Sequence, residues 1–376
     1  MESIDISSPI NEMMVGDIAF EEYANFESVS GLKPDWDLLV KLGKGSPAHR
    51  YDWSRVLWEV HWGKKNLMLL VGRNAKQLSG IALLVMESTW KKGVRVNTLF
   101  PLNNFYAVHG TQLILSPSNA EFLDGTLGYL KKNYNYWNEW EMVFEKGEVE
   151  TNNFEEKIHQ YGYSYSIQMG DKSPYLNLQG SWEDFLKQKS SKFRSDLRVR
   201  ERRLREKGKL KFRVFDGNSD WEKGLQDIFE IEMETWKQEG GSSILRIDKQ
   251  RRFYERLAVF AARDSTLRLV ILYLDGEPIA FDYSLSWEKI YFLLKTSYKE
   301  NYREYCPGIV LRKLVIEWLY SEECLRIDFL GKDEPWKMKW TNTVCEHIFY
   351  RVFNNNLKGR WLWGVHKALE AWNLKT

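Results

Sequence analysis

Arg326-Ile327-Asp328-Phe329-Leu330-Gly331-Lys332-Asp333-Glu334-Pro335-Trp336-Lys337-Met338-Lys339-Trp340 decides how this 376-residue chain is read. Residues 325–330 are short, apolar-rich and bounded by a glycine, which predicts a strand that carries an acid, Asp328, to its end. A proline behind two acids then predicts a short helix over 334–340. Lys337 stands between two tryptophans, a setting that points to more than a solvated cation. The bland alternative is a lysine whose stem packs on Trp336 and Trp340.

Upstream, residues 187–213 carry thirteen Lys/Arg against Asp196, Glu201 and Glu206. The net charge of +2 therefore hides a segment of about +10 in a remainder of about −8. Ser181 and Asp184 form a start resembling a capping box, and one long helix is expected from there to Gly208. Phe185, Phe193, Leu197 and Leu204 give it only a narrow apolar stripe. Cations with few acidic partners a turn away repel one another, which asks for an anionic counterpart. Lys192, Arg194, Arg198 and Arg202 are the candidates for gripping phosphate, and Arg198 and Arg202 share a face that suits bidentate contacts. Peripheral contact with acidic headgroups at a membrane surface competes for the same cations. The positive charge is local, which argues against DNA as a partner.

Around these two segments the chain alternates helices and strands. After a mobile start the first half reads as helices over 36–42 and 52–60, strands over 67–72, 79–87, 94–100 and 111–115, and a loop holding Asn103, Asn104 and His109. A helix over 120–133, a strand over 139–144, a helix over 154–161 and strands over 163–169 and 174–178 follow. The second half continues with helices over 220–237 and 248–262 and an antiparallel meander over 267–274, 278–287 and 289–295, turning at Asp275-Gly276. Pro307-Gly308 opens a helix to residue 320, and a last strand covers 347–353. Domains are expected over 1–180 and 181–376, each with helices before a strand pair.

Composition narrows the function further. With 43% hydrophobic and 28% charged residues and no apolar run of about 18, the chain reads as globular without a membrane span. The first residues lack the pattern of a secretory signal, so the expected location is cytoplasmic. Cys306, Cys324 and Cys345 suit neither a disulfide framework nor a metal site, and no metal is expected. No Ser-His-Asp or Cys-His spacing is readable, and His109 and His347 read as structural. Asp282 is a polar residue in a strand that otherwise reads as buried; a carboxylate there would have a raised pKa fit for deprotonating an ammonium, whereas strict alternation would turn it to water. Tyr283 and Tyr291 either line an acceptor site or pack in the core.

Four motifs in this order resemble the GNAT superfamily: residues 191–198 with Arg202 and Arg203, residues 275–280, Tyr302 with Pro307-Gly308, and residues 328–340. More narrowly they look like the CelD/BcsL-type acetyltransferases with a BioF2-like domain, relatives of the FemABX peptidoglycan aminoacyltransferases. The resemblance covers residues 181–353 well and the first half in outline. It implies an α/β fold of tandem GNAT-like domains, each a mixed, mostly antiparallel sheet flanked by helices. It also implies transfer of an acyl group from acetyl-CoA to an amine, with an amino sugar on a nucleotide or lipid carrier as acceptor, in polysaccharide or envelope-glycan synthesis. The donor would lie between splayed strands 289–295 and 325–330, its pyrophosphate on Arg303 and the helix start at Pro307, Gly308 and Ile309. Cys306 replaces the usual first glycine of that loop, and Pro307 removes an amide. Lys337 matches a lysine linked to catalysis in the FemABX relatives and would donate to the oxyanion or hold a phosphate. Asp328 would be a general base or cap its turn, and Trp336 stands where the family has a tyrosine. Aminoacyl-tRNA as donor, or a non-catalytic glycan-assembly protein, are the alternatives the resemblance leaves open.

Overall fold

Met13, Val15, Ile18 and Phe20 turn inward on either side of Gly16-Asp17, and the φ of +57° at Gly16 suits a tight turn. This makes a hairpin of β1 (Asn11–Val15) and β2 (Ile18–Tyr23), which the sequence reading does not anticipate. The computed structural model describes residues 8–63, 66–102, 113–115, 120–146, 151–235 and 248–373, so the loop of Asn103, Asn104 and His109 lies outside the described residues. Helices α1 (Lys33–Leu42) and α2 (Tyr51–Leu57), the latter running into a π-helical stretch at Trp58–Trp62, precede the meander β3 (Asn66–Asn74), β4 (Gln77–Lys91) and β5 (Val94–Pro101). Short β6 (Leu113–Leu115) pairs with β4; α3 (Ala120–Asn133) then leads to β7 (Glu139–Glu145), parallel to β5. After α4 (Thr151–Gln160) comes β8 (Ser164–Asn177), one strand where two were expected.

The second half repeats that plan. Helices α5 (Trp182–Lys187) and α6 (Ser191–Arg205) are followed by β9 (Leu210–Phe215), α7 (Trp221–Met233) and α8 (Asp248–Arg263). An antiparallel meander of β10 (Leu267–Leu274), β11 (Glu277–Trp287) and β12 (Ile290–Tyr298) leads through α9 (Pro307–Ser321) to β13 (Arg326–Asp328), parallel to β12. Then come α10 (Pro335–Met338), β14 (Val344–Phe353) and α11 (Leu357–Asn373); the sequence reading has no counterpart of α11. Meander, helix and parallel strand thus occur twice.

The long helix expected from Ser181 is two helices. Ser181 Oγ accepts the Asp184 amide, as expected, but Ser190 Oγ accepts the Phe193 amide and starts a second helix three residues after the first ends. The chain divides into two compact units, Met1–Lys172 with Cys345–Thr376 and Ser173–Val344. The division differs from residue 180 because β8 gives its last residues to the second unit, where Tyr175 and Asn177 pair with β13. It also returns 345–376 to the first unit, where β14 pairs with β7.

Each unit has its own core. In the first, Gly72 of β3 pairs with Gly80 of β4, and a Cβ on either would stand 2.5 Å from the Phe122 ring of α3. The paired glycines form a notch that seats this ring. Gly80→Ala is therefore expected to cost about 1–3 kcal/mol in urea unfolding, through overpacking. In the second unit, neighbouring β11 residues face opposite ways: Asp282 meets Arg312 of α9, and Tyr283 donates to the Tyr254 carbonyl of α8. Helix α9 with α5 and α6 therefore covers one face of this sheet, and α7 with α8 the other.

Candidate active site

Strands β12 and β13 pair only at Ile290–Arg326, Tyr291–Ile327 and Phe292–Asp328, while β12 runs on to Tyr298 against β11. A register shift after Tyr283 sets Ser284 opposite Leu293 and Tyr283 opposite Lys295, so Leu294 is an extra residue and β12 bends there. Past Phe292 one edge of β12 has no β13 partner. This is the splay that the resemblance implies, two strands whose backbone groups part inside a sheet.

The turn after β13 is built from left-handed backbone at Leu330 (φ +50°) and Gly331 (φ +60°). Leucine pays for such a conformation, and surrounding contacts must hold it. Asp328 Oδ1 accepts the Leu330 amide at 3.0 Å, while Arg326 donates to its other oxygen at 3.1 Å. Asp328 is 3% exposed and thus caps the turn. Ser173 Oγ donates to the Gly331 carbonyl at 2.6 Å. Lys337 Nζ reaches the Leu330 carbonyl at 2.6 Å, the Lys332 carbonyl at 2.9 Å and Glu334 Oε2 at 3.0 Å. An ammonium has three donors, and these three acceptors use them. Lys337 is 5% exposed, so it is neither a snorkelling lysine nor one pointing at a cleft. Burial lowers its pKa from the usual lysine value, while the Glu334 carboxylate opposes that shift.

Asp282 is fully buried, as the reading of a buried strand has it and against strict alternation. Arg312 donates to its two oxygens at 2.6 and 2.7 Å, and Tyr291 Oη donates at 3.3 Å. Both carboxylate oxygens are thus taken up by a bidentate guanidinium inside the core, which leaves neither facing an acceptor amine, and the expected role as base gives way to a structural one. Tyr283 and Tyr291 are also fully buried and lie in the core rather than on an acceptor site; burial pushes both phenols well up. The Arg312 guanidinium lies 5.7 Å from the Trp336 ring and 5.8 Å from the Phe329 ring, so Trp336 roofs the ion pair.

Helix α9 starts at Cys306, whose φ is +52°. Pro307 lacks an amide hydrogen, and the Ile309 and Val310 amides donate to the Cys306 carbonyl at 3.0 and 3.3 Å. Gly308 alone of these four has an amide to spare for a phosphate, and Tyr298 lies 3.3 Å from where its Cβ would be. Arg303 is exposed and pairs with Glu300 at 2.9 Å. The cation at this helix start is Arg200 of α6, which donates to Cys306 Sγ. Tyr302 Oη donates to Glu277, which also accepts from Lys299; that lysine is 2% exposed and bonds Glu230 and Glu234 as well, fixing the approach to α9.

On α6 the cations divide. Arg202 pairs with Glu206 and Arg205 with Glu201. Among the described residues Lys192, Arg194 and Arg198 have no ion-pair partner, and Arg194 and Arg198 line a groove of about 490 Å³ with Trp182 and Lys313. Four residues absent from the sequence-predicted set matter here. Arg312 and Lys299 read as ordinary helix and strand-end cations, since their carboxylate partners lie 22 or more residues away. Glu232 of α7 is fully buried and offsets the lowered pKa that burial gives Lys295 on the freed stretch of β12. Only an intervening fold joins these pairs, so no local pattern announces them.

Residues 191–338 match the family model described as Acetyltransferase (GNAT) domain. This segment, from the first residue of α6 to the last of α10, is a GNAT-type acyltransferase domain built around the splay. No curated protein matches the chain. Among solved structures, FemX superposes with a TM-score of 0.59 at 12% identity over 91% of this chain and 97% of its own. L-PGS from Bacillus licheniformis gives 0.53 at 11% identity over 86% and 91%. At these identities the likeness is one of fold, and the superposed residues come from both units. Among the described residues no group of three or more His, Cys, Asp or Glu comes together to hold a metal, and no helix is long and apolar enough to cross a membrane.

Proposed function

We propose that the protein is an N-acyltransferase that moves an acyl group, acetyl in the preferred reading, from acyl-CoA to an amine. The preferred acceptor is an amino sugar on a phosphate-bearing nucleotide or lipid carrier, in polysaccharide or envelope-glycan synthesis. The observation that carries this reading is the freed edge of β12 beyond Phe292, which offers backbone groups to an acyl chain laid along it. Amide formation from a thioester gains most from positioning and from donors aimed at the oxyanion, and a preorganised strand edge supplies both. Arg194 and Arg198, beside the Trp182 ring, suit a carrier phosphate with a planar group next to it. Lys337 takes a positioning role in this scheme, holding the turn that ends β13.

A second reading, an aminoacyl-tRNA donor, is favoured by the single spare amide at the start of α9 and by the unpaired cations of α6. Calorimetry separates the two. Acetyl-CoA is expected to bind in the micromolar range, and Arg200→Ala to weaken it about tenfold, the scale of one lost charge-assisted contact. Absence of acetyl-CoA binding, together with salt-sensitive binding of tRNA, would move the donor to aminoacyl-tRNA.

A further inference from the structure

The first unit holds a polar groove of about 800 Å³ where the ends of α3 and α4 meet the β14–α11 junction. Its walls are asparagines that spend their amides on the backbone. Asn354 Nδ2 donates to the Trp137 carbonyl at 2.9 Å, Asn356 Nδ2 to the Trp137 and Asn135 carbonyls at 2.8 and 2.9 Å, and Asn138 Oδ1 accepts the Asn97 amide at 2.7 Å. The groove is therefore set before any ligand arrives. Tyr136 stands at its rim, 51% exposed, and Tyr163 lies in its wall, 4% exposed, with a hydroxyl that no group of the described residues satisfies.

Two cations line the same groove. Lys131 Nζ donates to the Tyr161 carbonyl at 3.1 Å and Lys358 Nζ to the Arg95 carbonyl at 2.7 Å. Neither has a carboxylate partner among the described residues, so each keeps its charge and further donors. The nearby Asp124 carboxylate is paired with Lys157 at 3.1 Å and does not cancel them. An exposed aromatic face, rigid polar walls and two uncancelled ammoniums form a chemical complement to a hydroxyl-rich ring that bears an anion.

We infer that this groove binds an anionic saccharide, a uronate or a glycosyl phosphate, at a site separate from the acyl-transfer chemistry of the second unit. The inference does not rest on the acceptor proposed above. Its test is calorimetry on the full chain with trigalacturonate, N-acetylglucosamine 1-phosphate, glucose and inorganic phosphate as probes. Saturable binding of one of the two acidic sugars is expected, at least about tenfold tighter than glucose or phosphate, and which one binds identifies the anion. Lys131→Ala with Lys358→Ala should weaken it about tenfold and flatten its salt dependence, and Tyr136→Ala about fivefold, with melting unchanged. No saturable binding, phosphate binding as tight as the sugar, or variants that bind like the parent would each overturn the assignment.

Discussion

Arg312→Met is expected to lower stability by about 3–5 kcal/mol, the penalty of leaving a buried carboxylate without its cation. Asp282 and Arg312 are 0% and 2% exposed, and two short hydrogen bonds join them. Water cannot replace the guanidinium, and Tyr291, at 3.3 Å, supplies only one weak donor. The pair is not on that account a large net stabiliser. Desolvating both ions consumes most of what they gain, and Arg312 Nε has no acceptor among the described residues. The double change Asp282→Leu with Arg312→Met should therefore recover most of the loss, because two apolar side chains fill the space without charge. Urea unfolding followed by circular dichroism measures both. A single variant within about 1 kcal/mol of the parent, or a double variant no better than the single, would contradict the buried-pair account. The ion pair also supports the Trp336 ring, so the single variant should lose acyl transfer even where it remains folded.

The residues that misled the sequence reading did so for related reasons. Asp282 was legible as an oddity, a carboxylate in an apolar strand, but its partner comes from α9, thirty residues on, and alternation alone carries no information about what a helix will lay across the strand. The splay was expected only through the family resemblance, since strands read over 289–295 and 325–330 have similar lengths and nothing in their pattern shows that β13 stops after three residues. The bulge at Leu294 was not, since a one-residue shift of register leaves no mark in the hydrophobic pattern of 290–298. Charge counting found the basic segment, and the amphipathic stripe found its buried side. Neither could show that Ser190 breaks the helix or that Arg200, rather than Arg303, stands at the start of α9. In the first unit, the hairpin about Gly16 carried a readable signal, the turn pair Gly16-Asp17 between two short apolar runs, while the tie of β14 to β7 joins segments about two hundred residues apart. Return of the chain to the first unit is a property of topology, and periodicity is blind to it.

Lys337→Ala should reduce acyl transfer by about 10²-fold, the scale of a misplaced reacting group, and destabilise the protein by about 1–3 kcal/mol. Both effects follow from one arrangement. The ammonium is the shared donor for the Leu330 and Lys332 carbonyls and for Glu334, and it clamps a turn whose leucine has φ +50°. Without it two carbonyls lose their partner and the strained turn relaxes, which moves the end of β13 away from the freed edge of β12. A lysine that acted directly on the oxyanion would behave otherwise, since its removal would leave the fold untouched. Lys337→Met separates the cases by pH. Burial holds the folded pKa of Lys337 below the usual value of 10.5. Between those two values the unfolded chain binds more protons than the folded one, so this lysine's contribution to stability rises with pH across that window. Lys337→Met should remove that rise, seen as a difference between parent and variant in urea midpoints measured from neutral pH to pH 10. Unchanged midpoints with transfer abolished would return Lys337 to the chemistry; a lower midpoint with a matching loss of transfer makes it the residue that positions the site.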